Sequence, residues 1–169
     1  MASKTKTGIP ETKGFFQLKG KVVGVGKENF YKEGKTRAGN PYRRISFGVQ
    51  VSKNETFFVE IFGNIMENVY FSKRNEDKTF TTKAVAWKDR KKFNKKDYSL
   101  IGMNLGLTKK EDSKGKAVND KQYMVDFDGC EHINENLKDG MSVFVKGKIQ
   151  YGHYSDDSGE LKRTQKFIP

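Results

Sequence analysis

From Phe15 onward the chain is written in short apolar runs separated by polar, glycine-bearing loops, the punctuation of strands. Phe15–Val25 (FFQLKGKVVGV) predicts a first strand with Gly20 in its interior, where strands bend or bulge. After the basic loop Gly26–Pro41, Tyr42–Ser52 alternates cleanly. Arg43, Ile45, Phe47, Val49 and Val51 fall on one face, and Tyr42, Arg44, Ser46, Gly48 and Gln50 on the other. In Thr56–Phe62 (TFFVEIF), Phe57, Val59 and Ile61 oppose Phe58, Glu60 and Phe62. Both faces of that strand carry large apolar groups, so one of them has a use beyond the core.

The C-terminal third has the same texture. Glu131–Asp139, with Ile133 and Leu137 four apart and Gly140 behind them, predicts a short helix with a glycine stop. Met141–Tyr151 predicts a strand with Val143 and Val145 on one face and Phe144, Lys146 and Lys148 on the other. A polar turn and a last strand, Leu161–Ile168, follow. Five strands with one helix before the penultimate strand predict a mainly all-β protein built on a five-stranded barrel. The predicted organisation is a flexible basic arm at 1–14 and a single domain at 15–169, with an insertion at 64–130. Inside the insertion, Thr79–Trp87 reads as a strand and Leu100–Leu107 pairs with Tyr123–Phe127 as a hairpin. The charged segment Thr108–Gln122 is its expected mobile tip.

Composition narrows the class. Lys and Arg number 33 against 21 Asp and Glu, a formal charge of +12, and every aromatic except Trp87 is Phe or Tyr. A disordered polyelectrolyte lacks so many rings, so a folded domain in a basic shell is expected, with a polyanionic partner. No apolar run approaches the roughly 20 residues that span a bilayer. Met1–Lys13 has no apolar signal segment, so no membrane association and a cytoplasmic location are expected.

Cys130 alone excludes an internal disulfide framework, and with only His132 and His153 beside it a Cys/His zinc site is short of ligands. It reads as a small, half-buried residue, and the two histidines as surface residues. No phosphate-binding loop, nucleophile elbow or HExxH helix is present. Asp126, Asp128 and Glu131 could hold Mg²⁺ in a nuclease, but acids at a helix start are the commoner reading. The expectation is a protein that is not an enzyme and needs no cofactor.

The stronger signal is rings interleaved with cations. Tyr42 lies beside Arg43 and Arg44, Phe58 and Phe62 share a face, and Phe144 precedes Lys146 and Lys148. Tyr151 and Tyr154 follow on the same predicted strand and its turn. Lys83–Lys96 adds six Lys and Arg90 against one Asp, with Trp87 and Phe93 inside it, so Trp87, Lys88, Arg90, Lys91 and Lys92 join the candidates. Single-stranded nucleic acid is bound by this pairing, bases stacking on rings while cations follow the backbone.

Two segments also resemble the bacterial-type single-stranded DNA-binding proteins. Glu60–Val69 (EIFGNIMENV) is similar to that family's strand end running into Phe-Gly and an amphipathic stretch. Leu137–Gly159 (LKDGMSVFVKGKIQYGHYSDDSG) is similar to its helix end, V-x-V-x-G strand and aromatic hairpin. The likeness covers Phe15–Gly63 and Glu131–Leu161, nearly half the chain. It implies an oligonucleotide-binding (OB) barrel that coats single-stranded DNA in replication, recombination or repair, with Phe62 and Tyr154 at stacking positions. Two features depart from the family. Asn64–Cys130 separates Phe-Gly from the helix, and the family's acidic, Phe-terminated tail has no counterpart in Ser155–Pro169, where three acids balance three bases. A short, insert-bearing form resembles a phage-encoded version, which implies a host cytoplasm. A monomer or dimer is expected rather than a tetramer, with single-stranded DNA and replication or recombination proteins as partners. The residues alone also fit an RNA-binding OB protein or a non-catalytic interaction module.

Overall fold

The computed structural model describes residues 14–169, so all of the expected N-terminal arm except Gly14 lies outside the described residues. The first half contributes β1 (Phe15–Val23), β2 (Tyr31–Lys35), β3 (Pro41–Ser52) and β4 (Glu55–Asn64). The middle contributes β5 (Asn68–Arg74), β6 (Phe80–Ala86), β7 (Ser99–Leu100), β8 (Met103–Leu105), β9 (Lys109–Glu111), β10 (Ala117–Asn119) and β11 (Gln122–Met124). The helix α1 (Asp126–Asn136) and the long strands β12 (Ser142–Ser155) and β13 (Leu161–Ile168) complete the chain.

Five of these strands close a barrel in the order β1-β12-β13-β4-β3, sealed by a β1–β3 pairing, and β2 extends the outer edge of β3. The β13–β4 contact, Phe167 beside Val59, is parallel and the other pairings are antiparallel. That connectivity makes the protein an OB-type, mainly β barrel, as its strand pattern predicts. β1 serves two neighbours: Phe15–Lys21 pairs with β12, and Lys21–Val23 with β3. The handover falls beside Gly20, where any Cβ would overlap the Gln50 carbonyl, which explains the glycine inside this strand.

Strand alternation builds the core. Phe16, Leu18 and Val22 from β1, Ile45, Phe47 and Val49 from β3, and Val59 and Ile61 from β4 are all buried. Burying each such side chain stabilises the fold by about 1.5–3 kcal/mol. Cys130, Ile133 and the following Leu137 plug one end of the barrel from α1.

The helix starts five residues before the expected Glu131. Val125 is extended, and Asp126 and Asp128 occupy the first turn, where acids suit the partial positive charge. Gly63 makes room for that turn, because a Cβ there would overlap the backbone of Asp126 and Phe127. The helix also stops before the expected glycine. Leu137 turns extended to enter the core, its N–H donating to Ile133 O at 2.8 Å. Gly140, at φ +85°, makes the bend that follows.

The segment between β4 and α1 is more ordered than the sequence suggests. β6-β5-β7 form a small sheet whose own core is Val69, Phe71, Val85 and Val125, with Trp87, Phe93, Tyr98, Leu100 and Phe127 packed against it. β8 pairs with β11 as expected, Met103 opposite Met124. Thr108–Gln122 is not a long loop, because β9 and β10 form a second hairpin there. Turn chemistry holds it: Asp112 Oδ1 accepts from the N–H groups of Lys114 and Lys116 at 2.8 and 2.9 Å, and Lys110 pairs with Asp120 at 2.8 Å. Among the described residues no helix is long and apolar enough to cross a membrane.

Candidate nucleic-acid interface

The outer faces of β3 and β4 form one platform. In register, Tyr42 lies opposite Asn64, Arg44 opposite Phe62, Ser46 opposite Glu60, and Gly48 opposite Phe58. Ile61 and Val59 on the same strand point inward and are buried, so strand period alone turns Phe58 and Phe62 outward. Phe58 is 61% exposed and Phe62 47% exposed, although burying either ring would have stabilised the fold. Tyr42 stacks beside Phe62 with ring centroids 5.3 Å apart and planes at 27°. Phe58 faces a glycine across the pair, so its ring has no side-chain neighbour directly opposite. The second-strand and third-strand face of an OB barrel is where oligonucleotides are held.

Charge on the platform is organised around one acid. Glu60 reaches Arg44 Nη1 at 3.6 Å with one carboxylate oxygen and Lys166 Nζ at 3.1 Å with the other. Lys166 arrives because β13 runs parallel beside β4, and Lys32 of β2 lies opposite Arg44. Neither lysine stands out in the sequence. Only the strand order brings them next to Glu60 and Arg44.

β12 and β13 run on beyond the barrel as a two-stranded ribbon ending at Ser155 opposite Leu161. Asp156 closes its turn, with Oδ1 accepting from Ser158 Oγ at 2.6 Å and from Glu160 N at 3.0 Å. The Ser158 hydroxyl is the main reason that its carboxyl sits below the usual range. Tyr154 and Lys162 are cross-strand partners, and Tyr151, three residues earlier, points to the opposite face of the ribbon. Both tyrosines are exposed.

The remaining candidates lie elsewhere. Phe144 is 61% exposed and pairs with Lys19, while Lys146 and Lys148 lie farther along the same β1–β12 face. Arg43 does not reach this surface. It faces the barrel end with its guanidinium 4.2 Å from the Phe127 ring, Nη2 2.9 Å from Glu131 Oε1 and Nη1 donating to Phe127 O at 3.4 Å. It ties β3 to α1.

Arg90 is likewise taken up by packing. It grips Asp128 with two hydrogen bonds of 3.0 and 2.9 Å, donates to Trp87 O at 3.0 Å and lies 4.1 Å over the indole. Trp87, half-buried, meets the edge of Phe127 at 5.9 Å. From the basic run Lys88, Lys91 and Lys92 remain exposed, on the inserted unit rather than on the platform.

Of the three acids in the metal reading, Asp128 pairs with Arg90 and Glu131 with Arg43, and Asp126 sits in the first turn of α1. Cys130 is fully buried, beyond the half-burial expected, with Sγ 3.6 Å from Arg43 O. Burial, reinforced by the Asp126 charge, pushes its thiol up to about 12. His132 is half-buried rather than a surface residue, whereas His153 is exposed.

A search of curated proteins and a search of solved structures each give no match. A family model described as YorF matches residues 73–169, a span that takes in most of the inserted unit, α1, β12 and β13. That span is more than half of the 169 residues, and the chain therefore belongs to the YorF family.

Proposed function

We propose that this protein binds single-stranded DNA with little sequence preference, coating strands exposed during replication, recombination or repair in the cytoplasm. One observation carries the reading: two outward phenylalanines, Phe58 and Phe62, sit with Arg44 and Lys166 on the oligonucleotide-holding face of an OB barrel. Rings of that kind accept any base, because every base has a π face, and each stacked base contributes about 1–3 kcal/mol. The neighbouring cations follow phosphates, which makes binding salt-dependent. Tyr42 braces Phe62, and Tyr154 with Lys162 extends the path onto the ribbon. The protein carries out no reaction in this role and uses no cofactor.

The test is fluorescence anisotropy with labelled oligothymidylate, its duplex form and an oligouridylate, each titrated at two salt concentrations. Tight binding to single strands, weak binding to the duplex, and a loss of about 1–3 kcal/mol in Phe62→Ala support the reading. Equal affinity for duplex and single strand would overturn it. Preference for the oligouridylate would move the substrate to RNA.

A further inference from the structure

The β3–β4 platform does not end at Phe58. Phe58, Gly48 and Val23 form one outward row across β4, β3 and β1, and the next row is Thr56, Gln50, Lys21 and Ser142. Successive outward positions on a strand lie about 7 Å apart, so Lys21 is one step from the Phe58 row. At that step the surface opens into a cleft of about 540 Å³ whose lining includes Lys19, Lys21 and Lys53 with Gln50, Ser52 and Ser142. Beyond it the β1–β12 face continues with Phe144 opposite Lys19, then Lys146 and Lys148.

The charge on this face differs from that on the platform. Arg44 and Lys166 share Glu60, whereas among the described residues Lys19, Lys21, Lys53, Lys146 and Lys148 form no ion pair. Unpaired like charges that close repel one another, and the sheet gains nothing by gathering them unless an anion neutralises them. Hydroxyl and amide donors beside the lysines suit phosphate oxygens, and an exposed ring one row away suits a base.

We infer that the cleft at Lys19, Lys21 and Lys53 is a second phosphate-holding site, through which a bound strand leaves the platform and turns onto the β1–β12 face toward Phe144. This rests on the single-strand reading above and extends it: the polynucleotide wraps the barrel instead of crossing one face. Long strands then bind more tightly than short ones by contacts that the platform does not supply.

Two oligothymidylates, of about 6 and about 20 nucleotides, separate the two sites. Lys19→Gln/Lys21→Gln/Lys53→Gln should bind the short strand like the wild type, lose most of the affinity gained with length, and show a log–log salt slope lower by about 2 on the long strand, at about 0.7 per phosphate contact. These side chains are exposed and unpaired, so the variant should melt with the wild type; Phe144→Ala reports on the same path without altering charge. Wild-type affinity and slope on the long strand in both variants would overturn the wrapped path while leaving the platform standing. An equal loss on short and long strands would also overturn it, reducing the lysines to a diffuse field. If the wild type binds neither strand, the platform falls and the wrapped path with it.

Discussion

On the proposed single-strand reading, Glu60 holds the two cations, Arg44 and Lys166, that a phosphate would take, and its removal should make a better binder. In Glu60→Gln the two cations lose a carboxylate that reaches them at 3.6 and 3.1 Å. Exposed ion pairs contribute about 0.2–1 kcal/mol each, and the partial exposure of all three side chains favours the lower half of that range. Binding that no longer has to break them gains about 0.4–1.2 kcal/mol in total, a complex tighter by about twofold to eightfold. The log–log salt slope on single strands should stay near that of the wild type, because Arg44 and Lys166 meet the same phosphates once their ion pairs are broken. Anisotropy titrations with labelled oligothymidylate over a salt series measure both quantities. Glu76→Gln, in the exposed β5–β6 turn, removes the same charge away from the platform and controls for net charge. Binding in Glu60→Gln no tighter than in the Glu76→Gln control would refute the idea that the carboxylate and the strand compete for these cations.

Other outcomes follow from the same geometry. Arg90→Ala should destabilise the fold by about 3 kcal/mol in urea unfolding, because it strands Asp128, 19% exposed, beside an uncovered indole; Lys91→Ala should stay within about 0.5 kcal/mol. Trp87 emission should stay flat as single-stranded DNA saturates the protein, since Arg90 covers the indole; strong quenching would place the strand on the inserted unit. Cys130 should resist thiol reagents in the native state and react on unfolding. Alkali should weaken the fold. Burial raises the Cys130 thiol from 9.0 to about 12, and burial with the Glu33 hydrogen bond raises Tyr31 from 10.0 to about 12. Both groups hold their protons better when folded, so their contribution is complete below about pH 9 and is lost as pH climbs toward 12. Cys130 contributes a slope of up to about 1.4 kcal/mol per pH unit and Tyr31, nearer solvent, a smaller one, and urea midpoints near pH 8 and near pH 11 measure the sum.

The platform was legible because a period of two sorts side chains without any knowledge of neighbours. TFFVEIF has large apolar groups on both faces, and one face must therefore lie outside the core. The same rule separates Arg43 from Arg44, which are adjacent in sequence yet end on opposite sides of β3, one binding α1 and the other facing solvent. What could not be read depended on partners far away in sequence. Lys166 matters because the parallel β13–β4 contact sets it beside Glu60, more than a hundred residues earlier. β2 (YKEGK) has almost no apolar signal and exists as an edge on β3. The alternation Tyr123, Val125, Phe127 looked like continued strand, but Gly63 admits a helical turn at that point. The β9–β10 hairpin is held by Asp112 and a glycine turn rather than by apolar periodicity, so it passed for a loop.

The eleven-residue α1 belongs to two cores at once. Phe127 and the residue before the helix, Val125, pack into the inserted unit, while Cys130, Ile133 and the trailing Leu137 fill the barrel. Melting either core exposes one end of the helix and withdraws support from the other. The inserted segment is therefore not a detachable graft on an otherwise complete barrel. The two units should unfold in one transition, and their slowest-exchanging amides should report a common free energy. Cutting out the segment between β4 and α1 would take Arg90 away from Asp128 and uncover Phe127 at the head of the helix that closes the barrel.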